Sequence, residues 1–512
     1  MSHAAVQTHL PQEQGLAIPF STIRPHLQVR TVQENKKKIL FVTSELTDLV
    51  KTGGLGDVSA ALPRALREFH DVRVLLPGYR QVLESGQTIR VVGTLSGHAA
   101  LPPCRIGRID LDDGLIVYVL LSPELYERDG TPYGDEHGQD WPDNHIRFAR
   151  LGLAAAHVAA GSACISWRPD LLHAHDWPAA LAPAYLRWRG IATPSVFTIH
   201  NLAYQGLLSP QCCPELDIPR GACRMEGMEF HGKLSFLKAG IAYADRITTV
   251  SATYAREITT EAFGCGLEGF LRAKAERGLL SGIRNGIDES WHPESDPHLL
   301  QGFSASDWHG KAVHAEYVRH HFDLEASAGP LFVVVSRLVR QKGLDLTHDI
   351  AETIVRAGGQ LAVIGRGEPA EEERMRGLAG RFPGRIGVRV GFEETLARRM
   401  FAGSDFLLMP SRYEPCGLSQ MYAQRFGSLP IAHRTGGLAD SIEDGVTGFL
   451  FEQPCVESYR EAVERALKVF ALPSLFHAMR RSAMTVPCYW RQTVHPYLHL
   501  YRQLLESRHE QA

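Results

Sequence analysis

The sequence predicts an α/β protein made of two doubly wound, mostly parallel domains that face each other across a cleft. Three observations predict it. Short apolar runs alternate with helix-period patterns along most of the chain. The alternation breaks once, in the Pro- and Asp-rich passage Trp291 to Pro297 behind Ile283-Arg-Asn-Gly-Ile-Asp288. A basic-Thr-Gly-Gly-Leu phrase occurs twice, as Lys51-Thr-Gly-Gly-Leu-Gly-Asp-Val58 and as Arg434-Thr-Gly-Gly-Leu-Ala-Asp440. A length of 512 residues also exceeds what one ordinary core accommodates.

Taken in order, the first series of strands is read at Ile39–Thr43, Val72–Leu76, Leu115–Leu121, Leu171–Ala174, Val196–His200 and Ile247–Val250. Helical patterns lie near 146–160, 179–188, 234–244 and 253–259. Apolar Val58, Leu62, Leu66 and Phe69 put a further helix directly behind the first glycine phrase. The second series has strands at Phe332–Val335, Leu361–Ile364, Gly387–Val390, Phe406–Met409 and Pro430–Ala432, with helices near 344–356, 371–378, 394–401, 418–426 and 438–443. Residues 457–505 read as helical, interrupted at Val486-Pro-Cys-Tyr-Trp490.

Composition narrows the function classes. An apolar fraction of 44% and a charged fraction of 22% are those of a soluble globular protein. A net charge of −3 gives no bulk attraction to nucleic acid or membrane, so a positive site has to be local. No apolar run is long enough for a transmembrane helix. Residues 1–35 lack a signal-like apolar core and read as a flexible extension. Nine scattered cysteines without a C-x-x-C motif fit a reducing cytoplasm. His173-Ala-His175 ends an apolar run with no third ligand nearby, so it reads as a strand end; no metal and no cofactor are expected.

In sheets of this kind ligands bind beyond the carboxyl ends of strands. Five polar clusters fall there: Glu45 with Lys51, His175-Asp176-Trp177, Thr198 to Gly206, Ser336 to Lys342, and Ser411 to Gly417. Each glycine phrase places unpaired N–H groups of a helix N-terminus at the mouth, suited to an anion. Gly53, Gly54 and Gly56 let a bulky ligand near the backbone. Arg337, Lys342 and Lys51 supply charge for a diphosphate without requiring a metal. Gly365-Arg-Gly-Glu-Pro-Ala370 fits a dinucleotide fingerprint, but it sits mid-domain and the next strand does not end in an acid, so it reads as a tight turn near a nucleotide.

These phrases, with His173-Ala-His-Asp-Trp177, Phe236-Leu-Lys-Ala-Gly240, Arg284-Asn-Gly-Ile-Asp288 and Ser411-Arg-Tyr-Glu-Pro-Cys-Gly417, resemble the bacterial glycogen synthases and plant starch synthases from about Lys37 to about Leu505. The resemblance implies a GT-B fold, two Rossmann-like domains with a C-terminal helix crossing back to the first. It implies a domain over 36–286 completed by 486–512, and a nucleotide-sugar domain over 287–485. It implies transfer of glucose from ADP-glucose to the non-reducing end of glycogen or a maltooligosaccharide, with retention. UDP-glucose or another acceptor, and a non-catalytic sugar-nucleotide or glucan-binding protein, remain the alternatives. By the same resemblance, Lys51 with Gly53 and Gly54 binds the sugar nucleotide, Arg337 and Lys342 the diphosphate, and Glu414 stands beside the donor glucose. Cys416, Gly417 and Leu418 offer backbone contacts, as do Thr435 and Gly436. Asp176, His200 and Asn285 surround the transferred glucose, Phe392 stacks on adenine, and Glu45 lines the acceptor side. The chain departs from the family at Asp48, a position more often apolar or small.

Retention by two inversions needs a second carboxylate. Many retaining enzymes of the implied fold carry a glutamate pair spaced E-x7-E; here the eighth residue after Glu414 is Tyr422, and the family this chain resembles is similar in that respect. The expected route is therefore front-face, with the leaving phosphate taking the acceptor's proton.

Overall fold

The computed structural model describes residues 36–163 and 165–509. The extension expected over residues 1–35 lies outside them. Strands β1 (Lys38–Val42), β2 (Asp71–Pro77), β3 (Arg90–Leu95), β4 (Cys104–Asp110), β5 (Ile116–Leu121), β6 (Leu171–His175) and β7 (Ser195–Ile199) come first. They are followed by the short β8 (Leu207–Leu208), β9 (Glu229–Phe230) and β10 (Lys233–Ser235), then β11 (Arg246–Thr249) and β12 (Leu280–Gly282). One nine-stranded sheet runs β12-β11-β7-β6-β1-β2-β5-β4-β3, and β8-β10-β9 form a small separate sheet. A six-stranded sheet holds β13 (Leu331–Val335), β14 (Gln360–Gly365), β15 (Ile386–Val390), β16 (Phe406–Met409), β17 (Leu429–His433) and β18 (Phe449–Phe451) in the order β15-β14-β13-β16-β17-β18.

The central strands are parallel and buried on both faces, which is why Ile39 to Val42 and Leu331 to Val334 read as unbroken apolar runs. Alternation still sorts the second sheet. Val333, Val335, Leu407 and Met409 join the core shared with the first sheet, while Phe332, Val334, Phe406 and Leu408 pack under Leu344–Arg356, Val456–Phe470 and Pro473–Met484.

The expected parallel strands all form, within a residue or two at their ends. The antiparallel edge β3–β4–β5 carries the two long strands that apolar content did not reveal, β3 and β4, because exposed Arg90, Thr94, Arg105 and Asp110 and the glycines Gly93 and Gly107 interrupt their apolar residues. Helices Glu268–Glu276 and His309–His321 were also not expected; both are rich in charge and histidine. Phe69 is a correction. The helix Gly54–Arg67 stops before it, and Phe69 is 42% exposed, edge-on to His495.

The chain crosses between the sheets twice. Ile287 bridges to Tyr489, and Trp291 stacks on Tyr422 with ring centroids 3.6 Å apart, under the Arg398 guanidinium. The helix His495–His509 then returns to the first sheet, where the Tyr501 hydroxyl meets His173 Nδ1 at 2.6 Å. The other nitrogen of His173 reaches Thr198 Oγ1 at 2.6 Å. Both nitrogens are committed, so His173, in the middle of β6, anchors the crossing helix.

Candidate active site

The carboxyl ends of the two sheets face one gap. From the second sheet, the loop after β13 carries Arg337 and Lys342, and the loop after β16 carries Glu414. Lys342 Nζ donates to Glu414 Oε2 at 2.5 Å, and Ser411 Oγ donates to the same oxygen at 3.0 Å, which leaves Oε1 unbonded. Both partners are largely buried, with side-chain exposures of 16% and 8%. In such surroundings the pair is stable only because each charge answers the other. Arg337 reaches across the gap to the Tyr204 hydroxyl at 3.4 Å. Its loop owes its shape to the supposed fingerprint. A Cβ on Gly365 would stand 2.0 Å from the Ser336 carbonyl, and one on Gly367 2.1 Å from that of Leu338. Those glycines let two protein segments touch.

From the first sheet comes the loop of Lys51. A Cβ at Gly53 would meet nothing within 4 Å, and one at Gly54 would stand 3.7 Å from Leu418 of the second sheet. So this loop faces Cys416-Gly417-Leu418 directly, with open space at Gly53. Gly56 is a correction: its Cβ would press on Thr47, Lys51 and Glu45, so the protein itself fills the space expected for a ligand. Lys51 Nζ rests on Asp57 at 2.6 Å. Glu45 is buried, its carboxylate taking N–H bonds from Thr52 (2.7 Å) and Gly53 (2.9 Å) and the Tyr133 O–H (2.5 Å). In this structure Glu45 shapes the glycine loop instead of lining an open acceptor surface. Beside it a cavity of about 260 Å³ opens between Thr47, Leu49–Thr52, Gln81 and Gly130–Pro132. Asp48 forks onto Arg64 at 2.8 and 3.0 Å and is held away from the gap.

Behind these loops lie Asp176, His200 and Asn285. Asp176 follows β6 in the left-handed region (φ +58°), a conformation a non-glycine residue holds only when its surroundings enforce it. Backbone N–H groups of Asn201, His200 and Trp177 point at its carboxylate, yet burial dominates and pushes its pKa up to about 7. His200 Nε2 lies 3.0 Å from His175 Nδ1. Burial pulls His200 down to about 3 and His175 well below the usual histidine value, so both rings are neutral near pH 7. Asp176 Oδ1, His175 Nε2 and Asn285 Oδ1 are buried without a protein partner. Buried polar atoms of this kind are satisfied by water or by a ligand's polar groups. Gly206 lies against Trp177, where a Cβ would come within 2.4 Å of the indole.

Cys416 is buried at the joint of the sheets and its thiol is pushed up to about 12, by burial first. Phe392 stands at the end of β15 with 65% of its surface exposed. Thr435 and Gly436 differ from expectation. The Thr435 hydroxyl (2.9 Å) and the Gly436 N–H (3.0 Å) both donate to Glu257 Oε1 of the first lobe, so these two donors already hold an anion. Tyr422 is buried against Trp291 and is not placed as a nucleophile. Sequence reasoning missed Glu257, Tyr133 and Ser411. Only Ser411 stood in a quoted phrase, and nothing local distinguishes the other two. Among the described residues one group of metal-type donors converges, His145, Cys212 and Glu215 within 4.8 Å of each other, and it includes no residue of the gap described here. No helix of the described residues is long and apolar enough to cross a membrane.

Two parallel-sheet lobes joined by a crossing C-terminal helix, with phosphate-type cations and a buried carboxylate in the gap between them, define a GT-B glycosyltransferase. Residues 38–273 match the family model for the starch synthase catalytic domain, and residues 319–474 that for glycosyl transferases group 1. The glycogen synthase of Pseudomonas fluorescens is 67% identical over 97% of this chain and 95% of its own length. That of Pseudomonas putida is 66% identical over 99% of both. The chain belongs to the glycogen synthase family. Among solved structures, the catalytic domain of starch synthase IV from Arabidopsis thaliana, bound to ADP and acarbose, superposes with a TM-score of 0.82 at 29% identity, covering 92% of this chain and all of that one. Sucrose-phosphate synthase from Thermosynechococcus elongatus, at 17% identity and a TM-score of 0.57, shares the fold.

Proposed function

We propose that this chain transfers glucose from ADP-glucose to the non-reducing end of an α-1,4-glucan, with retention at the anomeric carbon, in the cytoplasm. The observation that carries the reading is the buried Lys342–Glu414 pair beside Arg337, facing the open glycine loop of Lys51. The starch synthase IV relative holds ADP and acarbose, which supports a nucleotide-sugar donor and a sugar acceptor here.

Arg337 and Lys342 take the diphosphate from one side, and Lys51, beside the open space at Gly53, from the other. The C1–O bond breaks as the phosphate gains charge. Cations fixed in a partly buried gap stabilise that charge more than they stabilise the bound donor, which accelerates the step. The acceptor hydroxyl enters on the face the phosphate leaves, and its proton passes to the departing phosphate oxygen. Glu414, oriented by Lys342 and Ser411, faces the oxocarbenium character at C1. Neutral His200 bonds the sugar there without adding like charge. Asp176 and Asn285 hold glucose hydroxyls, Cys416 to Leu418 offer backbone contacts, and Phe392 stacks on adenine. The donor domain is 287–485. The acceptor-side domain is 36–286, completed by 486–512, and Ile283–Pro297 is the hinge about which the gap closes on donor.

The test is incubation with radiolabelled ADP-glucose and glycogen. Label should enter the polymer, compete poorly with unlabelled UDP-glucose, and fall sharply in Lys342→Ala. Incorporation no higher than that of Lys342→Ala overturns the reading.

A further inference from the structure

The segment between β8 and β10 leaves the loop of His200 and returns to it. Its two ends are pinned together. Phe236 N–H donates to the Gly206 carbonyl, Leu237 N–H to that of Gln205, and the Ser235 hydroxyl to Gln205 as well. The excursion between them holds two short helical turns, Pro210–Cys212 and Arg220–Ala222, and the catalytic reading uses none of its side chains. Within it Cys213 Sγ and Cys223 Sγ lie 2.8 Å apart, closer than two uncharged sulfurs rest in simple contact. Cys213 is buried and Cys223 half-buried, so one sulfur is reachable from solvent and the other waits behind it. Adjacent Cys212 does not share this geometry: its sulfur converges with His145 and Glu215 instead. The remaining described cysteines make no sulfur–sulfur contact; Cys104 is bonded to Arg150 and Cys265 to the Phe263 carbonyl.

We propose that Cys213 and Cys223 form a reversible disulfide, a modification site that closes the 213–223 loop when a low-molecular-weight disulfide is available as oxidant. The Cys223 thiolate attacks a sulfur of glutathione disulfide, forming a mixed disulfide and expelling one glutathione thiolate. Cys213 then gives up its proton, attacks the Cys223 sulfur and expels the second glutathione. Two thiols are oxidised, one glutathione disulfide is reduced to two glutathiones, and the protons go to solvent and the leaving thiolates. The contact already made means the ring closes with little backbone movement.

The experiment incubates the full chain in glutathione mixtures of rising oxidised fraction until exposed Cys265 carries glutathione. Free thiols are then blocked, and tryptic peptides are read by mass spectrometry without reduction. Cleavage after Arg220 and Arg224 puts the two cysteines on different peptides, so a bridge shows directly as a linked pair two hydrogens lighter than its reduced sum. The pair should appear in the wild-type chain and in Cys212→Ser, vanish in Cys213→Ser, and revert with dithiothreitol. In the native protein, cleavage after Arg220 should be about tenfold slower once bridged, because closing the loop suppresses its local opening. No linked pair when Cys265 is glutathionylated overturns the proposal, and so does a pair that survives in Cys213→Ser or disappears in Cys212→Ser.

Discussion

The two basic-Thr-Gly-Gly-Leu phrases have nearly the same letters and serve different ends. In the first, Thr52 and Gly53 hold Glu45, and Asp57 holds Lys51, all within one lobe. In the second, Thr435 and Gly436 hold Glu257 of the other lobe. Asp440, at the position matching Asp57, takes bonds from the Thr253 N–H (2.9 Å) and hydroxyl (2.6 Å), also across the lobes. Arg434, matching Lys51, lies half-exposed on Glu452. The first loop is finished locally and keeps open space at Gly53. The second is half of a joint between lobes. A helix N-terminus specifies that an anion belongs there, and the rest of the chain decides which anion arrives.

The contrast is open to test, beginning with the largest effect. Lys342→Ala or Glu414→Ala should lower kcat by about 10²–10³-fold, the cost of removing an oriented charge from the reacting centre. In initial-rate assays the double variant should be little worse than either single, since each leaves the other charge buried and unanswered. Next, Lys51→Ala should lower kcat/KM about 10–100-fold, the worth of one charge-assisted contact, whereas Arg434→Ala should stay within about twofold because its charge is spent at the surface. Equal losses in the two would erase the distinction between the loops.

Acid offers a third probe. His173, His175 and His200 are neutral in the fold because burial lowers their pKa, to about 3 for His200. The unfolded chain binds protons at these residues from about pH 6.5 downward, so stability is full above that value and is lost as pH falls toward 3, at up to about 1.4 kcal/mol per histidine per pH unit. Asp176 opposes this. Its folded pKa of about 7 exceeds the unfolded value, so its burial penalty shrinks as pH falls through 7. Three groups outweigh one, and Tm should drop between pH 7 and pH 5; a flat profile means the histidines are charged in the fold. The smallest effect belongs to Glu257→Gln, which should cost about 1 kcal/mol by weakening the bonds from Thr435 and Gly436, read as a modest fall in Tm. A change in kcat beyond about twofold there would give the second loop a role in chemistry as well as in joining.

Much of the fold was legible because buried parallel strands have to be apolar on both faces, and Ile39 to Val42, Phe332 to Val335 and Phe406 to Met409 state that in their letters. Strands β3 and β4 were not, since half of each faces water. Within the gap, Lys342, Glu414, Arg337 and Lys51 could be picked out by charge at strand ends. Gly56, Thr435 and Gly436 were misjudged for one reason: a glycine or helix N-terminus announces room or donors but not their occupant.

What the sequence determined alone was the alternation that builds two parallel sheets, the break between them, and which charged residues end the strands, because periodicity and strand position are properties of neighbours along the chain. Only the tertiary structure decided that Glu45 and Glu257 would fill the two loops, that Tyr422 would stack on Trp291, and that Lys342 would answer Glu414. These pairings join residues far apart in sequence, and burial and charge compensation select them only once the lobes have packed.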